Sequence, residues 1–408
     1  MIPIEDVRSK YGVEIAVVLL CCRVYFNTEK QETLQQFINH NNINWKGVIS
    51  LSGYHRIEPV VYQVLGSFKI TQDVDNKIKQ NRLLLIQRNF IQGLETERII
   101  SLLNDNGIKC TPYKGVSFSK QMYGDIISRE SSDIDLVIKY ADFERVLPLM
   151  KSDGFSFENQ PEYSYYKKEI FKIKKGLNFN KYSNGYREFH IEFHWRISDN
   201  MLQIPKKAHA LLYNTNGKQL LVKNNCEMLD DNAHYLAIFI HHAINDSLRV
   251  LRNIIDLSQI DKAYNNGLNS HYIRETISNL NLQKAAAVCN YLSGSLLGIE
   301  LPFISNSAAY LTPSLKNRFA DQLLKHQMLN SIKPQFYNKN VLLLKETLSD
   351  KFNYLLACLR MRFQPSPKDM RIFKLPRKLS FLYVILKPFR SMFSRVSDAE
   401  EKKIAEQQ

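Results

Sequence analysis

Two aspartates standing two apart, Asp133 and Asp135 in the run RESSDIDLVI (Arg129 to Ile138), are the residues of this chain best suited to do chemistry. They open an apolar, β-branched segment that reads as a strand, and in a strand residues i and i+2 point to the same side. Two carboxylates would then project side by side. At about 4 Å and an effective dielectric near 20 they repel by roughly 4 kcal/mol. A divalent cation with oxygen ligands is the usual compensation. A bare D-x-D is equally what two solvated acids flanking a strand would write, so neighbouring signals must decide.

Upstream, Lys114-Gly115 falls between a predicted strand and a predicted helix, with Gly115 18 residues before Asp133. Glycine there lets backbone N–H groups approach phosphates, and a helix N-terminus favours anions. Lys114 is either a phosphate contact or an exposed lysine. Arg129 is placed to pair with phosphate or with the aspartates. Downstream, Glu192 stands in the period-two run His190-Ile191-Glu192-Phe193-His194 and would bring a third carboxylate on an adjacent strand. Three acids holding two cations suit in-line phosphoryl or nucleotidyl displacement.

The elements that must position these groups follow from periodicity. Residues 1–80 read as an N-terminal helical region, with Val13, Ala16, Val17 and Leu20 at helical spacing. Residues 81–215 read as the core. It opens with a long helix ended by Asn106-Gly107 and continues with strands alternating with helices: Ile108 to Tyr113, a helix from Val116 to Tyr123, Ile134 to Ile138, a helix from Asp142 to Met150, and Glu188 to Ile197. Tyr163 to Ile173 also reads as strand. Residues 216–340 read as a helical domain and 341–408 as a basic helical tail. The fold class expected is α+β or α/β with a mixed sheet.

The order of these pieces resembles the uncharacterised nucleotidyltransferase family of the DNA-polymerase-β-like superfamily. The likeness extends over nearly the whole chain and is carried by NWKGVISLSGYHRIEPVVYQVL, YKGVSFSKQMYG, SSDIDLVI, IEFHW, LRNIIDLSQI and RFQPSPKDM. It implies a polymerase-β-like core between helical regions. It also implies that Asp133, Asp135 and Glu192 are the catalytic and metal-binding acids, with Lys114, Gly115, Ser117 and Arg129 around the nucleotide. The cofactor implied is Mg²⁺, with Mn²⁺ as alternative, and the substrate a nucleoside triphosphate such as ATP. Its monophosphate would pass to a hydroxyl or phosphate acceptor (small molecule, peptide or RNA) with release of pyrophosphate. Two departures stand out. Val116 follows Gly115 where the wider superfamily has Gly or Ser, leaving Ser117 as the next hydroxyl, and Glu192 replaces an aspartate. They motivate a rival reading, a degenerate protein that binds nucleotide or partner without turnover. The basic surface motivates another, a toxin-like transferase acting on RNA.

Other signals are weaker. His190-x-Glu192-x-His194 has the look of a metal box but lacks HExxH spacing. His241-His242 with Asp246 suits helix packing better than a phosphohydrolase site. Arg252 and Asp256 form an i,i+4 pair, exposed or lining a cleft. Tyr163 to Lys175 mixes lysines with aromatics as single-strand binders do, although a hairpin with one aromatic face explains it as well.

Lys+Arg 55 against Asp+Glu 40 gives a net charge of +15, pointing to polyanionic partners. Much of the excess lies between Leu359 and Val396, a segment suited to an anionic membrane face or to nucleic acid. The six cysteines form no CxxC pair and read as reduced thiols of a cytoplasmic protein. MIPIEDVRSK lacks the apolar core of a signal peptide. No apolar run approaches the roughly 20 residues of a membrane span.

Overall fold

A computed structural model describes residues 1–68, 70, 72–157, 163, 167, 170–259, 268–301, 303, 307–325, 337–363, 375–376, 379 and 382–386. The fold is α+β. One mixed sheet has the strand order β1-β2-β5-β4-β3, with β1 Thr111–Pro112, β2 Ile134–Val137, β3 Ser156–Phe157, β4 Gly176–Ser183 and β5 Tyr186–His194. β2 and β5 run parallel, and the other pairs are antiparallel. A separate hairpin joins β6 Thr215–Leu220 to β7 Asn225–Leu229. β1 is short and at the sheet edge, which is where Pro112 is tolerated, since proline cannot donate to a ladder.

Alternation sorts the two central strands into a dry face and a chemical face. Ile134 and Leu136 of β2, with Ile191 and Phe193 of β5, are buried against Phe143, Val146 and Met150 of the helix Phe143–Ser152. The residues between them, Asp135 on β2 and Glu192 and His194 on β5, must then point the other way. The register seats Asp135 directly opposite Glu192 and Val137 opposite His194. At the end of β4, Gly176 pairs with His194, and a side chain there would strike the Phe193 carbonyl oxygen, so close approach requires glycine.

The long helix Gln72–Asp105 fixes the approach to β2. The Asn89 side-chain amide donates to the carbonyls of Ile126 (2.9 Å) and Arg129 (2.7 Å), while its oxygen accepts from the Ser131 N–H at 3.1 Å. Further along, one carboxylate oxygen of Glu97 accepts from three successive amides, those of Val222, Lys223 and Asn224 (2.6, 2.8 and 3.0 Å), and anchors the β6–β7 hairpin.

On the chemical face lies a helical body. Helix Val13–Tyr25 is apolar nearly all round and accordingly buried, and it shares one hydrophobic cluster with helices Asp231–Ile240, Leu251–Ser258 and Gln283–Leu292. Side chains from the first 85 residues and from residues 204–358 thus lie in a common core. All six cysteines are free and buried. Among the described residues no helix is long and apolar enough to cross a membrane.

Two sequence expectations change. Tyr163 and residues 170–173 are helical, not strand or hairpin. Tyr163, Lys167, Ile170 and Phe171 are spaced i, i+4, i+7 and i+8, one helical stripe, and Tyr163 and Phe171 both pack on Phe143. The region after 216 is not wholly helical, since most of the β6–β7 hairpin lies in it. Most of the basic segment Leu359 to Val396, and the role expected of it, lies outside the described residues.

Candidate active site

Ligand atoms of Asp135, Glu192 and His194 all lie within 4.8 Å of one another. The His194 ring nitrogen Nε2 is 2.7 Å from Asp135 Oδ1 and 3.1 Å from Glu192 Oε2. Two lysines close the group. Lys114 Nζ donates to Asp135 Oδ1 at 2.8 Å, and Lys175 Nζ donates to Glu192 Oε2 at 3.0 Å. Burial alone would raise both carboxyl pKa values. The Lys114 ammonium and His194 reverse this for Asp135, and His194 and Lys175 for Glu192, so both stay well below the ordinary carboxylate range. The two acids are therefore ionised at neutral pH with no cation bound, and the lysines supply the countercharge that a strand-borne acid pair demands.

The other expected site residues are distributed as follows. Asp133 precedes β2, is half-buried and accepts from the Ser132 hydroxyl at 3.1 Å, and it is not part of the converging set. Gly115 begins the short helix Gly115–Phe118 with φ +47°, and a Cβ there would meet Ser131 Oγ at 3.0 Å and the Asp133 carbonyl at 3.1 Å. The turn is thus pressed against the segment that delivers the aspartates. Ser117 is buried, and its hydroxyl donates to the Lys114 carbonyl at 2.7 Å. Arg129 is buried, with Nε 2.9 and 3.0 Å from the two Asp256 oxygens, so its guanidinium faces a protein carboxylate. His190 is bound to Asn180 Oδ1 at 2.6 Å and stands outside the converging set.

Lys114 is the strained residue of the site. Its φ of +61° and ψ of −152° fall in a region that is essentially glycine-only and costs of order 1–3 kcal/mol. Three contacts hold it there. Its N–H faces His234 Nε2 at 3.3 Å, and its carbonyl accepts from Ser117 Oγ and from the Phe118 N–H at 3.0 Å. His234 is kept neutral by burial, which with nearby Arg129 lowers its pKa to about 3, and its other nitrogen bonds Gln121. Lys114→Gly should therefore be more stable to urea than Lys114→Ala by about 1–3 kcal/mol, the reverse of the usual order of these residues. Both variants lose the ammonium, so the difference reads the backbone alone, and equal midpoints would show that no strain is stored.

Lys114 also joins the site to the helical body. Its ammonium is 3.4 Å from His241 Nε2, and His241 Nδ1 is 3.3 Å from Asp246 Oδ2. Asp246 is 3.1 Å from His242 Nδ1, and His242 Nε2 is 2.7 Å from Asp256. A line of neighbouring polar groups thus runs from Lys175 through Glu192, His194, Asp135 and Lys114 to Arg129, with no hydrogen bond where His241 Nδ1 approaches Asp246. His241 and His242 occupy a π-helical turn, His241–Asn245, and a second such turn, Ser119–Tyr123, follows the glycine turn. Such turns recur at functional sites. Burial lowers the pKa of His241 to about 4, so its imidazole is neutral and accepts from Lys114. Arg252 is largely buried, with Nε unpartnered and no ion pair among the described residues. Burial first, then Arg129, lowers its pKa to about 10.

Sequence spacing pointed to Asp135 and Glu192, but not to Lys175 or to the link between Lys114 and His241. Lys175 reaches Glu192 only because β4 pairs with β5, which no local spacing encodes. The E-x-H spacing of Glu192 and His194 was a visible sign of their shared face.

Residues 41–298 match the model of an uncharacterised nucleotidyltransferase family. The chain belongs to that family. It is accordingly a transferase with a role in nucleotidyl transfer. No curated protein and no solved structure is significantly similar to it.

Proposed function

We propose that this nucleotidyltransferase is metal-dependent and built on a polymerase-β-like core. It transfers a nucleoside monophosphate from a nucleoside triphosphate to a hydroxyl or phosphate acceptor and releases pyrophosphate. The observation that carries the reading is the convergence of Asp135, Glu192 and His194 beside the Lys114-Gly115 turn. The two ionised carboxylates offer the oxygen ligands that Mg²⁺ and Mn²⁺ take, and the His194 imidazole adds a nitrogen donor of the kind that softer divalent ions prefer. Asp135, Glu192 and His194 would hold the ion, with Asp133 at the mouth of the strand. A bound cation would neutralise charge developing on the phosphoryl oxygens and the leaving pyrophosphate.

The remaining work falls to the chain itself. Lys114 and Lys175 hold the carboxylates ionised and place two positive charges where a triphosphate brings several negative ones. His241, backed by Asp246, positions the Lys114 ammonium. The bare Cα of Gly115 lets the turn lie against the strand that carries the acids. Arg252, a guanidinium without a carboxylate partner among the described residues, is the arginine assigned to phosphate in place of Arg129.

The test is pyrophosphate release by the full chain with each nucleoside triphosphate and candidate acceptors, with and without Mg²⁺ or Mn²⁺. Release that needs the metal supports the reading, and turnover unchanged in chelator overturns it. A second reading, nucleotide binding without turnover, is favoured by one feature: Ser117 and Arg129 are committed to protein partners. Calorimetry showing nucleotide binding, with no release of pyrophosphate under any condition, would establish it.

A further inference from the structure

At the carboxyl ends of the parallel strands β2 and β5 the sheet borders a cavity of about 820 Å³. Its wall carries four cations, Lys139, Lys172, Arg196 and Lys206, and no acid among its ten lining residues. None of the four forms an ion pair among the described residues, in contrast to Lys114 and Lys175 at the acid cluster. Lys139, Lys172 and Lys206 are solvent-exposed and Arg196 half-exposed, so water screens their mutual repulsion and leaves all four open to an entering anion.

Two aromatic residues of the wall, Trp195 and Tyr213, are held in place. Trp195 is locked by its ring N–H, which donates to the Lys174 carbonyl at 3.0 Å, and by packing on Phe143 and Phe171 with ring centroids 5.8 and 5.1 Å apart. The Tyr213 hydroxyl lies 3.2 Å from both the Ile138 and the Trp195 carbonyls, tying the two strand ends together. His209 also lines the space, and its Nδ1 is buried with no hydrogen-bond partner among the described residues. Trp195 packs with the dry-face core, while its neighbour His194 belongs to the acid cluster, so this cavity is a second site and not the mouth of the first.

We propose that this cavity binds a small aromatic anion, a ring carrying a phosphate, carboxylate or sulfonate. The ring lies against Trp195 and Tyr213 and the anionic group among the four cations. The volume suits a small molecule, since such pockets measure about 300–1,000 Å³. The inference does not depend on the metal reading of the acid cluster.

The test uses the full chain carrying Trp45→Phe, so that Trp195 is its one tryptophan and reports by fluorescence, with calorimetry alongside. Phenyl phosphate, inorganic phosphate, phenol and AMP are the probes. Phenyl phosphate is expected to change Trp195 emission and to bind at least tenfold more tightly than either inorganic phosphate or phenol. AMP binding as tightly as phenyl phosphate would identify the natural source as a nucleotide, and AMP binding more weakly would identify it as another aromatic acid. Lys139→Glu combined with Lys206→Glu, both at exposed positions without an ion pair among the described residues, is expected to weaken phenyl phosphate at least tenfold and to leave Mn²⁺ binding unchanged. Equal affinity for inorganic and phenyl phosphate, or indifference to the charge reversal, would overturn the proposal. The comparison of probes on the unreversed chain decides the matter even if the double variant does not fold.

Discussion

Asp135→Asn should reduce pyrophosphate release by about 10²–10³-fold, the usual range for removing one electrostatic element of an active site, whereas Asp133→Asn should cost tenfold or less. The two aspartates look equivalent in sequence, and the structure separates them. Asp135 lies inside the ladder opposite Glu192, takes the Lys114 ammonium at 2.8 Å and His194 at 2.7 Å, and belongs to the converging set. Asp133 lies before the ladder begins, half-exposed, with a serine hydroxyl as its partner. An asparagine in place of Asp135 would keep the shape and lose the charge, leaving Lys114 and His194 with no carboxylate between them. Glu192→Gln should act in the same direction, since it removes the partner of Lys175. Rates for each nucleotide at saturating Mn²⁺ are the measurement. An Asp133→Asn rate as low as that of Asp135→Asn would return the chemistry to the D-x-D pair and remove the argument built on His194.

How far this site could be read from sequence depends on the range over which each constraint acts. Asp135 and Glu192 were legible because alternation in β2 and β5 is a local signal, with Ile134, Leu136, Ile191 and Phe193 marking one face and the acids the other. The mixed sheet between helical regions was legible for the same reason. Lys175 was not, because its approach to Glu192 depends on β4 pairing with β5 and on Gly176 admitting the close contact. The fate of Arg129 was not legible either, since its partner Asp256 lies 127 residues away on another element. The Tyr163 to Ile173 segment misled because aromatic and lysine residues there satisfy a period of two almost as well as the helical stripe. The packing of Tyr163 and Phe171 on Phe143 decides between them. Repulsion between neighbouring acids, which suggested a metal, is answered in the folded chain by two lysines. The case for a cation therefore rests on the donor set and on the family, and no longer on the repulsion itself.

Asp256→Asn should destabilise the fold by about 3–5 kcal/mol, the cost of leaving one member of a buried ion pair without its partner. Asp256 is fully buried, and its carboxylate serves three groups: Arg129 Nε at 2.9 Å, His242 Nε2 at 2.7 Å and the Tyr123 hydroxyl at 2.5 Å. Burial on its own would raise its pKa, but Arg129 and His242 hold it well below the ordinary range. A carboxylate whose folded pKa is depressed contributes stability that is fully present above its unfolded pKa, about 3.9, and is lost as pH falls toward the folded value. Wild-type stability should therefore decline from about pH 5 downward, and Asp256→Asn, already without that contribution, should show a shallower decline. Urea unfolding at pH 7 and at pH 3.5 measures both. The double variant Arg129→Met with Asp256→Leu should recover part of the loss, because an apolar pair replaces an ion pair at little net cost. It should not recover all of it, because His242 and Tyr123 would each lose an acceptor, worth about 1–3 kcal/mol apiece when buried. A single variant within about 1 kcal/mol of wild type would mean that water, and not Arg129, stabilises the carboxylate. The buried polar line from Arg129 to Lys114 would then have no hold on the site.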